Sequence, residues 1–230
     1  MYVLKMQDVS KSFKTPSGRV EVLRHVNLSV SQGDFAAITG PSGSGKSTLL
    51  HLSALLDYPS SGRIFFDGQD VSALKDRELC YLRKHNVGMV FQKYCLLPHR
   101  SVFENVIFRF RYIKHDRGEA ESQALHALKI VGLIDIADRT ARLLSGGEMQ
   151  RAAIARAIAL KPRLLIADEP TGNLDSASTQ AVMECFERLN NTGMTILMVT
   201  HNPALLKFCR RQIICHDGYI IEEGLNVIAN

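Results

Sequence analysis

The chain has 230 residues, 46% hydrophobic and 22% charged, and a formal net charge of +5 that is interleaved rather than gathered in runs. That balance suits one folded domain with an attached subdomain, and gives no reason to expect nucleic acid as a partner. No apolar run reaches the roughly 18 residues of a membrane span, and "MYVLKMQDVSKSFK" lacks the apolar stretch of a secretory signal, so a membrane role is expected to come through a partner.

In chain order, "NLSVSQGDFAAITG" predicts short strands ending at Gly40, and "KSTLLHLSALLD" a helix that begins inside a glycine loop. "SGRIFFDGQDV" reads as a strand with a turn at Asp67-Gly68, and "HNVGMVFQ" as a buried strand. "EAESQALHALKIVGL" places Ala120, Ala124, Leu128 and Val131 on one helical face and closes at Gly132. "EMQRAAIARAIAL" is an Ala-rich helix stopped before Pro162. "RLLIADEP" is a short apolar strand ending in two acids, "STQAVMECFERLN" a helix, and "MTILMVTH" a further buried strand. Apolar strands alternating with helices argue for a parallel sheet covered on both faces. The stretch from about Lys93 to Ala159 reads as mostly helical, a separate lobe. Cys80, Cys95, Cys185, Cys209 and Cys215 are scattered and form no CxxC pair, which fits reduced thiols. Cys209, Cys215 and His216 could be metal ligands; the alternative is two thiols flanking a buried strand.

The stretch Gly40, Pro41, Ser42, Gly43, Ser44, Gly45, Lys46, Ser47, Thr48 fits G-x-x-x-x-G-K-[ST], between a strand and a helix. Glycines let backbone N–H groups converge on phosphate oxygens, and the helix N-terminus adds partial positive charge. Lys46 is placed to reach the β- and γ-phosphates and the Ser47 hydroxyl to ligate Mg²⁺. A plain glycine-rich turn is the bland alternative. "LLIADE" puts Asp168 and Glu169 at the end of a buried strand, where open α/β sheets hold their ligands. Asp168 is expected to hold Mg²⁺ through water and Glu169 to polarise an attacking water; a polar turn before Pro170 is the alternative.

"LLSGGEMQR" is locally a capping box, Ser145 to Glu148, opening a helix. Its Gly146 and Gly147 also make a second exposed helix N-terminus, suited to a nucleotide held by another subunit. This stretch is similar to the signature of the ATP-binding cassette (ABC) family, and the likeness covers nearly the whole chain. By that resemblance, Gln92 in "VFQ" stands at the Q-loop glutamine, which also ligates the metal. Asp175 in "NLD" stands at the D-loop, His201 in "MVTHN" at the switch histidine, and Phe13 at the aromatic that stacks on adenine. "ADEPTGNLDS", "LLDYPSSG" and "FQKYCLLPHRSVFENV" resemble the LolD/MacB/FtsE group, although Met149 stands where that group usually has Gln and "RTARLLSGG" lacks a common proline.

The resemblance implies a P-loop NTPase (RecA-like) α/β core at about 1–92 and 160–230, an inserted helical subdomain at about 93–159, and an N-terminal antiparallel β part. It implies an ATPase using ATP and Mg²⁺, with Glu169, His201, Lys46 and Gln92 at the chemistry. It implies a homodimer, head to tail, with each ATP between Lys46 of one copy and Ser145 and Gly147 of the other. A separate transmembrane permease subunit is expected to touch residues near 93–105, placing the chain peripherally on the cytoplasmic side of the inner membrane. Lipoprotein release or MacB-type export is the leading function, and an FtsE-like regulator of cell-wall remodelling is the alternative. A DNA-repair ATPase would carry a coiled coil or zinc insert, and the roughly 100 residues between Gly45 and Ser145 show neither.

Overall fold

The structure is a computed structural model and describes residues 1–16 and 18–224. Its elements are β1 (Tyr2–Thr15), β2 (Gly18–Ser31), β3 (Phe35–Thr39), α1 (Lys46–Ser53), β4 (Ser61–Phe66), β5 (Gln69–Asp70), α2 (Asp76–Asn86) and β6 (Val87–Val90). There follow α3 (Val102–Ile107), α4 (Arg117–Ile130), α5 (Gly146–Ile158), β7 (Leu164–Asp168), α6 (Ser176–Asn191), β8 (Thr195–Val199), β9 (Arg211–His216) and β10 (Tyr219–Gly224).

Strands β3, β7 and β8 are apolar at almost every position, so neither of their faces can meet water. They lie inside a six-stranded sheet of order β10-β9-β3-β8-β7-β6, in which only β10 runs antiparallel. The period-2 alternation divides each strand between two cores. Phe35 and Ala37, Leu165 and Ala167, and Ile196 and Met198 join helices α3–α6 on one side. Ala36 and Ile38, Leu164 and Ile166, and Leu197 and Val199 join α1 and the second sheet on the other. That second sheet is antiparallel, of order β2-β1-β4-β5. The fold is thus the expected P-loop NTPase architecture, with an antiparallel N-terminal part.

The face predicted for α4 is the buried one: Ala120, Ala124, Leu128 and Val131 all sit in the core, and Gly132 has φ +70°. The turn at Asp67-Gly68 takes positive φ at both residues, as a tight hairpin demands. Cys209 and Cys215 are buried either side of the start of β9, and burial pushes the Cys209 thiol up to about 12. Among the described residues no cluster of His, Cys, Asp and Glu is placed to hold a metal. The two thiols do not flank the strand as expected: Cys209 precedes β9, Cys215 lies inside it, and His216 is exposed at its end. Helix α1 is shorter than the sequence suggests: it stops at Ser53, and Leu55 turns into the left-handed region at φ +57°.

Candidate nucleotide-binding site

Parallel order brings the ends of β3, β7 and β8 to one edge of the sheet, the edge at which such folds hold ligands. Beyond β3 the chain enters the glycine loop. At Gly40 (φ +139°) an added Cβ would fall 2.0 Å from the Cys215 carbonyl oxygen, and at Gly45 (φ +106°) 2.8 Å from that of Val22. Side chains are therefore excluded at both ends of the loop by backbone on its outer side. At Gly43 (φ +80°) none of the described residues lies within 4 Å of such an atom, so the loop's tip is clear of them. Gly45 is the N-cap of α1, which has no side-chain cap and no acid in its first turn. Its first N–H groups and the positive end of the helix are left without a built-in anion. Lys46 Nζ donates to Gly40 O (2.9 Å) and Pro41 O (2.7 Å), so the ammonium is folded over the loop.

At the end of β7, Asp168 is half-buried, and burial first, then the neighbouring Glu169 charge, raises its carboxyl pKa above the ordinary value. His51 opposes that shift. Glu169 adopts φ +44°, and its N–H donates to Val199 O (3.0 Å) at the end of β8. This left-handed backbone is a strained conformation for a non-glycine residue, held by the sheet on one side and Pro170 on the other. His201 follows β8, with its Nδ1 3.1 Å from Glu169 Oε1. Gln92 lies beyond the end of β6, and its Nε2 would be 2.8 Å from a Cβ on Gly172, three residues past Glu169. Glu169, His201, Gln92 and Gly172 thus form one neighbourhood. Ser47, Gln92 and Asp168, the residues that the resemblance gives for the metal, can each offer an oxygen, and a cation would offset the desolvation of the Asp168 carboxylate; both features are compatible with Mg²⁺.

Other predicted residues serve local ends. Ser145 N-caps α5 in a full capping box: its Oγ accepts from Glu148 N–H (3.3 Å) and its N–H donates to Glu148 Oε2 (2.7 Å). These bonds hold the Glu148 carboxyl below its usual pKa. The expected exposure of this helix start holds for Ser145 but not for Gly147, which is buried where α5 meets α6: a Cβ there would lie 2.9 Å from Ser178 Oγ. The Asp175 carboxylate N-caps α6 through Ser178 N–H (2.8 Å) and Ser178 Oγ–H (2.9 Å). Phe13, on the β1–β2 hairpin, is 41% exposed, with Lys11 Nζ 5.0 Å from its ring centre. Met149 packs, partly buried, against the helical core.

Sequence reasoning missed the residues that fasten the segment after β6. Gln150 Nε2 donates to Phe91 O (3.4 Å), and the Arg156 guanidinium donates to Tyr94 O (2.9 Å) and Cys95 O. The Tyr94 hydroxyl reaches the start of α5 beside Gly146. So α5, which opens at Ser145, also grips the stretch that follows Gln92. The sequence held no local signal for them: Gln150 and Arg156 sit on α5 beside Glu148 and Arg151, and only the fold shows that Gln150 is fully buried.

A P-loop and an acid pair at one edge of a parallel sheet, with a second glycine-rich helix start, define a nucleotide-hydrolysing cassette. The model of the ABC transporter family matches residues 23–172, and the chain belongs to that family as an ATP-binding cassette, an ATPase. It is 42% identical to the lipoprotein-releasing system ATP-binding protein LolD of Aquifex aeolicus (strain VF5), over 96% of this chain and 97% of that one. It is 43% identical to the macrolide export ATP-binding/permease protein MacB of Syntrophobacter fumaroxidans, over 97% of this chain but only 32% of MacB. Among solved structures, a dimeric ATP-binding cassette in a post-hydrolysis state bound to ADP and Pi superposes with a TM-score of 0.86. It is 37% identical, covering 97% of this chain and 99% of that one.

Proposed function

We propose that two copies of this chain pair head to tail around two ATP molecules and drive a membrane permease of the kind that LolD and MacB serve. The observation that carries this reading is the pair of glycine-rich helix starts on one chain. Gly40–Thr48 opens onto a helix with no cap of its own, whereas Gly146 and Gly147 begin α5 with Ser145 exposed. One triphosphate fills the first; the second is free to face the nucleotide of the other copy. The dimeric relative with ADP and Pi supports this arrangement.

In this reading the residues divide the work. The N–H groups of Gly43 to Thr48, the α1 N-terminus and Lys46 stabilise charge on the β- and γ-phosphates; Lys46 exchanges the Gly40 and Pro41 carbonyls for phosphate oxygens. Phe13 stacks on adenine. Ser47, Gln92 and Asp168 hold Mg²⁺, which screens the phosphate charge when bound. Glu169 orients a water and holds its proton, and His201 contacts the γ-phosphate side of that water. Ser145, Gly146, Gly147 and Asp175 close the site from the other copy. Hydrolysis leaves two anions where one stood, and their repulsion opens the dimer.

Residues 93–159 act as the lever on a core formed by 1–92 and 160–230. The receiving surface is the segment 93–105, with an adjoining groove of about 440 Å³ beside Cys95, Leu56 and Tyr112. The charged groups lining the groove are all cations: Arg83, Lys84, Arg109 and Arg156. Burial lowers the Arg109 pKa to about 10, aided by the nearby Arg156 charge. An apolar segment carrying an acid fits that lining. Among the described residues no helix is long and apolar enough to cross a membrane, and peripheral attachment on the cytoplasmic side of the inner membrane follows from this partner.

The test mixes Lys46→Ala with Ser145→Arg, differently tagged. Each homodimer has two faulty sites, whereas the heterodimer collects both faults in one and leaves the other intact. ATP-dependent crosslinking between the two tags should exceed that of either variant alone. A mixture no better than its parts would mean that Ser145 only caps its own helix.

A further inference from the structure

The outer side of the phosphate loop is backed by the β9–β10 turn. Cys215 Sγ lies 2.9 Å from Ser44 O, and Gly218 N–H donates to the same carbonyl (3.2 Å). The turn is itself fixed: Arg24 N–H donates to Gly218 O (2.8 Å), and a Cβ on Gly218 would fall 2.7 Å from Val22 O. The Cys215 carbonyl closes against Gly40 at the other end of the loop. Ser44 supplies no lock of its own, since its hydroxyl is buried and has no hydrogen-bond partner among the described residues.

A trans peptide points its C=O and the following N–H to opposite sides. Two donors that hold Ser44 O outward therefore turn the Gly45 N–H inward, to the side on which phosphate would lie. We infer that Cys215 is a positioning residue for nucleotide binding, its thiol acting with Gly218 N–H to fix the Ser44–Gly45 peptide. The thiol is fully buried, and burial raises its pKa, so it stays a donor through the physiological range. This inference rests on the reading of Gly40–Thr48 as the phosphate site.

The experiment titrates fluorescent ADP and ATP analogues against the full chain and against Cys215→Val, Cys215→Ser, Cys209→Val and Lys46→Ala, with thermal midpoints alongside. Valine keeps apolar bulk without a donor; serine keeps a donor. Cys209 is an equally buried thiol just before β9, but it joins the core on the other face of the sheet and its contact is with Leu205 O (3.8 Å). Cys215→Val should weaken both nucleotides about three- to tenfold, the scale of one hydrogen bond, and raise KM with kcat unchanged. Cys215→Ser should stay closer to the parent, and Cys209→Val should match it even where its thermal midpoint falls. Parent-like affinity in Cys215→Val overturns the inference, as does equal weakening by Cys215→Ser or Cys209→Val. If Lys46→Ala also binds like the parent, the failure lies in the phosphate-site reading itself.

Discussion

His201 Nδ1 stands 3.1 Å from Glu169 Oε1, bridging the ends of two neighbouring strands. The contact is made possible by β7 and β8 pairing in register to Asp168 and Val199, and by the Glu169 N–H closing on the Val199 carbonyl. Two loops that share no sequence proximity thereby deliver one acid and one imidazole to a single point. In the proposed mechanism the histidine keeps the carboxylate aimed until a γ-phosphate arrives to share it.

Glu169→Gln is expected to keep ATP affinity and lose hydrolysis on the order of 10²–10⁴-fold. The amide preserves size but cannot hold the water's proton, so ATP should trap a dimer visible by gel filtration. Near-parental turnover, or a monomer peak despite measured ATP binding, would refute the role given to Glu169.

Asp168 yields a prediction about stability. Its pKa is raised above 3.8, first by burial and then by the Glu169 charge. The folded chain therefore holds this proton more tightly than the unfolded chain. Stability from this group is greatest at low pH and declines as pH rises from the unfolded value through the raised folded one. Asp168→Asn removes the penalty. At neutral pH the nucleotide-free variant should melt about 1–4 °C higher than the parent, a gap that closes as the medium is acidified. The same variant should lose Mg²⁺-dependent ATP binding. A lower melting point at neutral pH would show that the carboxylate is instead well satisfied in the empty protein.

The sequence reveals the buried elements better than the exposed ones, for a physical reason. Strands β3, β7 and β8 and the face of α4 announce themselves because their apolar period matches their burial. Helix α2 was missed: its apolar stripe is narrow, Leu79 buried and Leu82 packed partly against the core, in a segment otherwise dominated by charged and polar residues. β1 was missed as a long strand because its pairing with β2 slips register repeatedly between Tyr2 and Ser12, which erases the alternation. Of the candidate site residues, Gly40–Thr48 follow from the spacing of their motif, whereas Gln92, Asp175, His201 and Phe13 follow from the family resemblance alone. Cys215, Gln150 and Arg156 were not legible, because their partners lie 171, 59 and 61 residues away and a tertiary contact leaves no local pattern.

Phe13 is too exposed to be core packing, and the ammonium of Lys11 near its ring is held in place by Asp57 Oδ1 (2.6 Å) and Tyr58 O (2.8 Å). Phe13→Ala should weaken ATP binding by about 1–3 kcal/mol, the usual worth of a base stacked on an aromatic. Phe13→Tyr should bind nearly as the parent does, and neither change should alter folding. Unchanged affinity in the alanine variant would remove Phe13 from the site.

The docking surface separates by burial into residues that can test it and residues that cannot. Leu96 and Phe103 pack against the helical core, so a charge at either costs folding stability before it touches a partner. Leu97 is 39% exposed and Tyr112 62% exposed, and both can be changed without opening the core. Leu97→Glu and Tyr112→Glu should therefore abolish co-purification with the co-expressed membrane subunit while nucleotide affinity and melting temperature stay at parental values. Lys84→Glu tests the charge of the groove: it should weaken the complex at low ionic strength, with the difference shrinking as salt screens it. Parental pull-down by Leu97→Glu and Tyr112→Glu together would move the contact off residues 93–105 and the adjoining groove. A salt-independent loss in Lys84→Glu would assign that lysine to packing, through its bond to Tyr112 O (3.0 Å), rather than to recognition of an acid.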